Sequence, residues 1–347
     1  MSFHGREVTR RRFGRAVAGL GFAATACTRL EDPPDPDPLP PARGPEFHRG
    51  VNFTAEWPDV YRSPRAYRIL ERLPDYGVDS IALVPYGFCR HDDPQIRFGG
   101  PRVWERDADI ERLAEHAHGL GMRVFLKPQL WVPRAHPGAI HFDGEGERET
   151  WFRGYEAFLR HYAGLAQRIR ADLFCVGVEY SRMARYEDFW RRLIAIAREI
   201  YPGPLIYAAN WGEEFETLAF WDALDYIGLN NYYPLPDDLN LEGIVATVRR
   251  VHEKWRRPVI FPEAGYASLV HPHREPWAED PRKISLEDQA RCYEAFLAAF
   301  YPQPWCHGIY WWKVGTNGFG GPEDGSHTPW RKPAMEVVAR WYRRRKT

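Results

Sequence analysis

The chain has 347 residues, of which 44% are hydrophobic and 27% charged, which suits a globular protein with one large core. Lys+Arg and Asp+Glu both number 47, so no overall field draws the chain to nucleic acid or to an anionic membrane. Aromatic residues are abundant, with 14 Trp, 18 Tyr and 19 Phe; they pack cores, and an indole face also stacks on the apolar face of a sugar ring.

The first residues read as targeting information. Thr9-Arg10-Arg11-Arg12-Phe13-Gly14-Arg15 followed by a weakly apolar run from Ala16 to Ala26 resembles a twin-arginine export signal. The run is too short to span a bilayer as a mature helix. Ala24-Thr25-Ala26-Cys27 is similar to a lipobox, in which Cys27 would carry the lipid; the alternative is a plain cleavage site of small residues. Residues 28–45, rich in Pro and Asp, form neither helix nor ladder and read as a tether. The expectation is therefore an export segment over 1–27, a tether over 28–45 and one folded domain over 46–347. The protein would be exported, to the periplasm or cell surface, with membrane contact only through a lipid on Cys27. Cys89, Cys175, Cys292 and Cys306 match neither zinc spacing nor a dense disulfide scaffold, though an oxidising compartment would permit one disulfide.

From residue 47 onward short apolar runs alternate with amphipathic stretches. Strands are predicted at 47–53, 79–85, 122–128, 173–178, 204–209, 225–230, 258–262 and 307–312. Their near-continuous apolar character fits parallel strands buried on both faces. Helical periodicity marks 107–120, 155–170, 187–201, 286–300 and 333–343, with Gly77, Gly121 and Gly203 at hand-over points between helix and strand. Eight strand–helix units in about 300 residues predict a single-domain (β/α)8 TIM barrel. A doubly wound sheet would carry a glycine-rich fingerprint after its first strand, and GVNFTAEWPD is not one.

Barrel active sites sit at the C-terminal strand ends, which shortens the list of acids. Glu179 follows the fourth strand in CVGVEYSRM, and Glu263 closes the seventh in VIFPEAGYA. Two carboxylates on such strands can face each other about 5 Å apart, the separation used by retaining glycosidases. Asn52, Lys127, Asn210, Asn230, Asn231 and Tyr232 end other strands and suit a hydroxyl-rich ligand. Trp57 and Trp131 lie in mouth loops. Of the consecutive Trp311 and Trp312 one must face inward, and Trp312, nearer the mouth, is the candidate sugar floor. Rival acids are Glu56, Asp92 and the doublets Glu213-Glu214 and Asp237-Asp238, whose polar loops suggest solvated or capping roles. His271 and His273 lack a third metal ligand at a supporting spacing. Lys127 as a Schiff-base lysine is the competing chemistry, and it leaves the glutamate pair unexplained.

The segments RGVNFTAEW, IALVPYG, VFLKPQLW, VGVEYSRM, DYIGLNNYYPL and IFPEAGYAS, followed by YWWKVG and RKPAMEVV, resemble glycoside hydrolase family 113, the β-mannanase family within clan A of the glycoside hydrolases. The resemblance runs over about residues 47–343 and rests on the order and spacing of the motifs. It implies Glu179 as acid/base, Glu263 as nucleophile, a polysaccharide or oligosaccharide substrate, and no metal or other cofactor. Val178 stands where many clan members place Asn before the acid/base, a departure the family accommodates, and it leaves the contact to the sugar 2-hydroxyl unassigned. The expected activity is that of a monomeric, retaining endo-β-1,4-mannanase-like hydrolase. A hydrolase of another β-glycan, an exo-acting glycosidase and a non-catalytic glycan-binding surface lipoprotein are the alternatives.

Overall fold

The computed structural model describes residues 44, 46–55, 57–58, 60–100 and 104–343; the expected export segment, Cys27, the tether apart from Gly44, and Glu56 lie outside the described residues. In chain order the strands and helices are β1 (His48–Thr54), α1 (Pro64–Arg72), β2 (Ser80–Leu83), β3 (Tyr86–Arg90), β4 (Asp93–Arg97), α2 (Asp107–Gly119), β5 (Arg123–Leu126), β6 (Gln129–Trp131), α3 (Glu145–Arg168) and β7 (Leu173–Val178). They continue as α4 (Glu187–Ile200), β8 (Leu205–Asn210), α5 (Glu213–Thr217), β9 (Tyr226–Asn231), α6 (Glu242–Trp255), β10 (Val259–Ala264), α7 (Leu286–Phe300), β11 (Cys306–Gly315) and α8 (Pro333–Tyr342). Eight of the strands close into a parallel barrel in the order β1-β11-β10-β9-β8-β7-β5-β2, with the helices outside. This is the TIM barrel expected from the alternating pattern.

Local chemistry explains the element borders. Ser63 caps α1 by accepting from the Ala66 N–H at 3.1 Å, and Pro64 supplies a preset φ in the first turn. Ser285 caps α7 through the Asp288 N–H at 3.2 Å. Gly77 and Gly121 take positive φ values of 76° and 74° where a helical segment turns into the following strand. Helix α3 begins at Glu145, well before the predicted 155, because Trp151, Phe152 and Tyr155 extend its buried stripe toward the N-terminus. The short antiparallel and parallel pairings of β3 with β4 and β6 form a separate three-stranded sheet after β2 and β5. Its strands are too short and too polar to stand out from loops in the sequence.

Inside the barrel Ala82, Phe125, Leu173, Cys175, Val178, Ile206, Ala208, Ile260 and Tyr310 pack into one buried cluster. Side chains therefore fill the barrel, with His48 and Ser80 buried at its N-terminal end and Asn52, Lys127, Asn230 and Glu263 buried at the C-terminal strand ends. Trp311 points the other way, stacking on Tyr293 of α7 at 4.0 Å between ring centroids. All four described cysteines are buried and free.

Gly228 lies in β9 opposite Ala208 of β8, and a Cβ there would stand 2.2 Å from the backbone oxygen of Tyr207. Because the obstacle is backbone, the strands must separate to admit a methyl group. Gly228→Ala is expected to lower the unfolding free energy by about 1–3 kcal/mol, read from a denaturant midpoint shift at unchanged slope.

Candidate active site

Two bulges aim the central carboxylates. The β7–β8 register shifts between Cys175 and Val178, and both of those side chains join the interior cluster although three residues separate them. Strict alternation would forbid that, so the bulge moves Glu179 to the rim. Glu179 itself takes φ 57°, a left-handed conformation rare for a non-glycine residue. On the other side of the mouth the β9–β10 register shifts between Ile260 and Glu263.

Asn230 links the two acids. It is the register partner of Glu263, and its Nδ2 donates to Glu179 Oε1 at 2.9 Å. The carboxylates nevertheless sit in opposite surroundings. Glu263 is buried, and its Oε1 accepts from the ammonium of the fully buried Lys127 in a short charged contact across the barrel from the end of β5. Its Oε2 accepts from the Tyr232 hydroxyl at 3.2 Å. Burial and the charges of Glu263 and Glu179 push the Tyr232 phenol well above its usual range, so it remains a neutral donor. Glu179 receives only the neutral amide of Asn230. Loss of solvent, then the charge of Glu263, raises its pKa to about 8, against the Asn230 hydrogen bond.

The remaining predicted residues fall into four groups. Trp312 shares the inward parity of Tyr310, and its ring centroid lies 4.9 Å from Lys127 Nζ, a cation–π contact inside the mouth. Asn52 is fully buried and commits its Nδ2 to the Pro262 carbonyl at 2.9 Å, bracing β1 against β10. Asn231 is buried with its Oδ1 accepting from the Tyr233 N–H at 3.4 Å, while Asn230, one residue earlier, donates to Glu179. Trp57 and Trp131 are exposed, at 61% and 54%, in the segments beyond β1 and β5. Asn210 meets the site through its backbone, donating its N–H to Glu214 Oε2 at 3.0 Å.

The match that decides the family is that of the profile of Glycoside Hydrolase Family 113, over residues 53–322. The chain belongs to this family. Its fold superposes on a family 113 β-mannanase from Alicyclobacillus acidocaldarius, solved in complex with ManMIm, with a TM-score of 0.80 at 32% identity over 86% of this chain and 97% of that one. A second family 113 β-1,4-mannanase structure gives a TM-score of 0.80 at 25% identity, covering 86% of this chain and 99% of that one. A Faecalibacterium prausnitzii β-glucuronidase, at 15% identity and a TM-score of 0.59 over 86% of this chain and 49% of that one, is alike in fold alone. No curated protein matches the sequence.

Among the rival acids of this family 113 hydrolase, Asp92 pairs with Arg90 at 2.9 Å, and Asp237 with Arg274 and His273 at 2.9 and 3.0 Å. Glu214 corrects the solvated reading of its doublet. It is buried, and it accepts from Ser181 Oγ and Tyr207 OH, both at 2.6 Å, as well as from Asn210 N. Burial lifts its pKa to about 7 against those hydrogen bonds. The sequence signal that would have found it is its position four residues beyond the polar end of β8, with hydroxyls at Tyr207 and Ser181 needing an acceptor.

Removing the cation from the Lys127–Glu263 pair strands a buried carboxylate. Lys127→Met is expected to lower the unfolding free energy by about 3–5 kcal/mol, and Glu263→Gln added to it should recover most of that loss in a double-mutant cycle. Additive losses would mean that the pair does not interact.

Proposed function

We propose that this family 113 hydrolase cleaves β-1,4-linked mannan within the chain by a retaining double displacement, with Glu179 as acid/base and Glu263 as nucleophile. The observation that carries the reading is the opposite environment of the two acids. Glu263 accepts from an ammonium on one oxygen and from a phenol on the other. Glu179 is deprived of solvent and faces that charge, which favours its protonated form. Poised this way, the Glu263 carboxylate attacks the anomeric carbon while Glu179 passes its proton to the departing glycosidic oxygen. The resulting ester on Glu263 is then displaced by a water whose proton returns to Glu179. Lys127, committed to the Glu263 carboxylate, supports an electrostatic rather than a Schiff-base role. Tyr232 lends Glu263 a hydrogen bond that must lengthen as the ester forms and shorten as it breaks.

Mannan as substrate rests on membership of the family and on its likeness to the mannanases above. Internal cleavage is supported by aromatic surface in the mouth loops: exposed Trp57 and Trp131, and Trp211 stacked on Trp277 at 5.3 Å, suit a long chain laid across the opening. Trp312 forms a floor beside Lys127 for the sugar at the reacting carbon. The twin-arginine-type segment supports action outside the cytoplasm, where polysaccharide is met.

Following the product anomer by NMR during mannan hydrolysis tests the mechanism. The β anomer is expected first, with a 2-deoxy-2-fluoromannosyl probe trapped on Glu263 in peptide mass spectra; initial α anomer would overturn the proposal. Because Glu179 must hold its proton to act as acid, kcat/KM should fall as pH rises through about 8. A Glu179→Gln variant that retained both the activity and this alkaline limb would remove Glu179 from the role.

A further inference from the structure

Resting on that assignment of Glu179, we propose that Glu214 is a positioning residue for the acid/base, clamping the turn that follows Glu179 onto β8 and α5. Three consecutive residues of the turn are tied to this one unit. The Glu179 N–H donates to the Ala208 carbonyl at 2.9 Å. The Tyr180 N–H donates to the Tyr207 hydroxyl oxygen at 3.0 Å. Ser181 Oγ donates to Glu214 Oε2 at 2.6 Å.

Two of these three ties end on Glu214. The Tyr207 oxygen is occupied by the Tyr180 N–H, so its own proton must find another acceptor, and Glu214 Oε1 takes it at 2.6 Å. The chain therefore has a fixed direction, from the Tyr180 amide through the Tyr207 hydroxyl to the carboxylate. Oε2 collects two further donors, from Ser181 and the Asn210 N–H. Only an acceptor with two free oxygens can close all three bonds. Glutamine cannot, because its amide nitrogen would face a donor on one side or the other.

The clamp has a reason to exist. Glu179 is held at φ 57°, which an L-residue leaves unless its neighbours are fixed. Tyr180 is fully buried and stacks on Trp190 at 5.8 Å, so the turn cannot shift without dragging a core ring. A turn locked at both its buried tyrosine and its serine fixes the direction in which the Glu179 carboxyl leaves the backbone, and with it the hydrogen bond from Asn230.

The role predicts a split between substrates. Proton donation matters for a poor leaving group such as a sugar, and hardly at all for dinitrophenolate, which departs unprotonated. Glu214→Gln is expected to lower kcat/KM on mannan by about 10–100-fold while leaving that on 2,4-dinitrophenyl β-mannoside within about three-fold of wild type. Tyr207→Phe, which deletes the relay hydroxyl and keeps the ring, should show the same split with a smaller loss. Unchanged activity on mannan in both variants, or equal losses on the two substrates, would overturn the positioning role. A crystal structure of Glu214→Ala gives a readout independent of turnover: the 180–181 turn should move and the Asn230–Glu179 bond break, and a turn left in place would equally overturn it. If wild type cleaves neither substrate while the turn moves in Glu214→Ala, the proposed function fails and the clamp stands.

Discussion

Two carboxylates that share a barrel mouth cannot both be charged in a site with little water unless a cation compensates one of them, and here that cation is Lys127. The ammonium reaches across the barrel from the third barrel strand, β5, to the seventh, β10. The cluster beneath it is filled mainly by apolar side chains, with the Tyr310 hydroxyl engaged by His48. Glu179 has no such cation, and burial together with the charge of Glu263 raises its pKa to about 8. Asn230 hydrogen-bonds Glu179, and Tyr232, just past the end of β9, hydrogen-bonds Glu263, so one short segment contacts both acids while the ion pair distinguishes them.

Backbone irregularity delivers this arrangement. With strict alternation the same parity of residues in each strand would point inward up to the rim. The register shifts in β7 and β10 change that parity within a few residues of the rim. The left-handed φ of Glu179 continues the same departure, and the hydrogen bonds gathered by Glu214 sit directly behind it. Strained backbone and a buried polar network thus occur together, as expected where a fold holds a functional group in a geometry its local sequence would not choose.

The aromatic residues divide along the same line. Trp151, Trp190, Trp221, Trp311 and Trp341 are fully buried among helices and outer strand faces, where they seal the barrel's jacket. Trp312 differs from Trp311 by one position, yet it faces Lys127 rather than Tyr293, since successive residues of a strand look to opposite sides. Composition alone does not separate packing tryptophans from mouth tryptophans; strand parity does.

Much of the fold was legible in the sequence because a parallel barrel writes itself as a period: apolar run, turn, amphipathic stretch, repeated eight times. The positions of Glu179 and Glu263 at strand ends were legible for the same reason, since a strand end can be counted from its apolar run. What a side chain meets across the barrel could not be counted. That Lys127 reaches Glu263, that Asn230 rather than Asn231 touches Glu179, and that Glu214 is buried while its neighbour Glu213 remains near the surface all depend on register shifts and on contacts between distant segments. The sequence by itself determined the layers and which residues stand at the rim. Tertiary structure alone decided which of them share a cation or a hydrogen bond, because those partners meet only once the barrel closes.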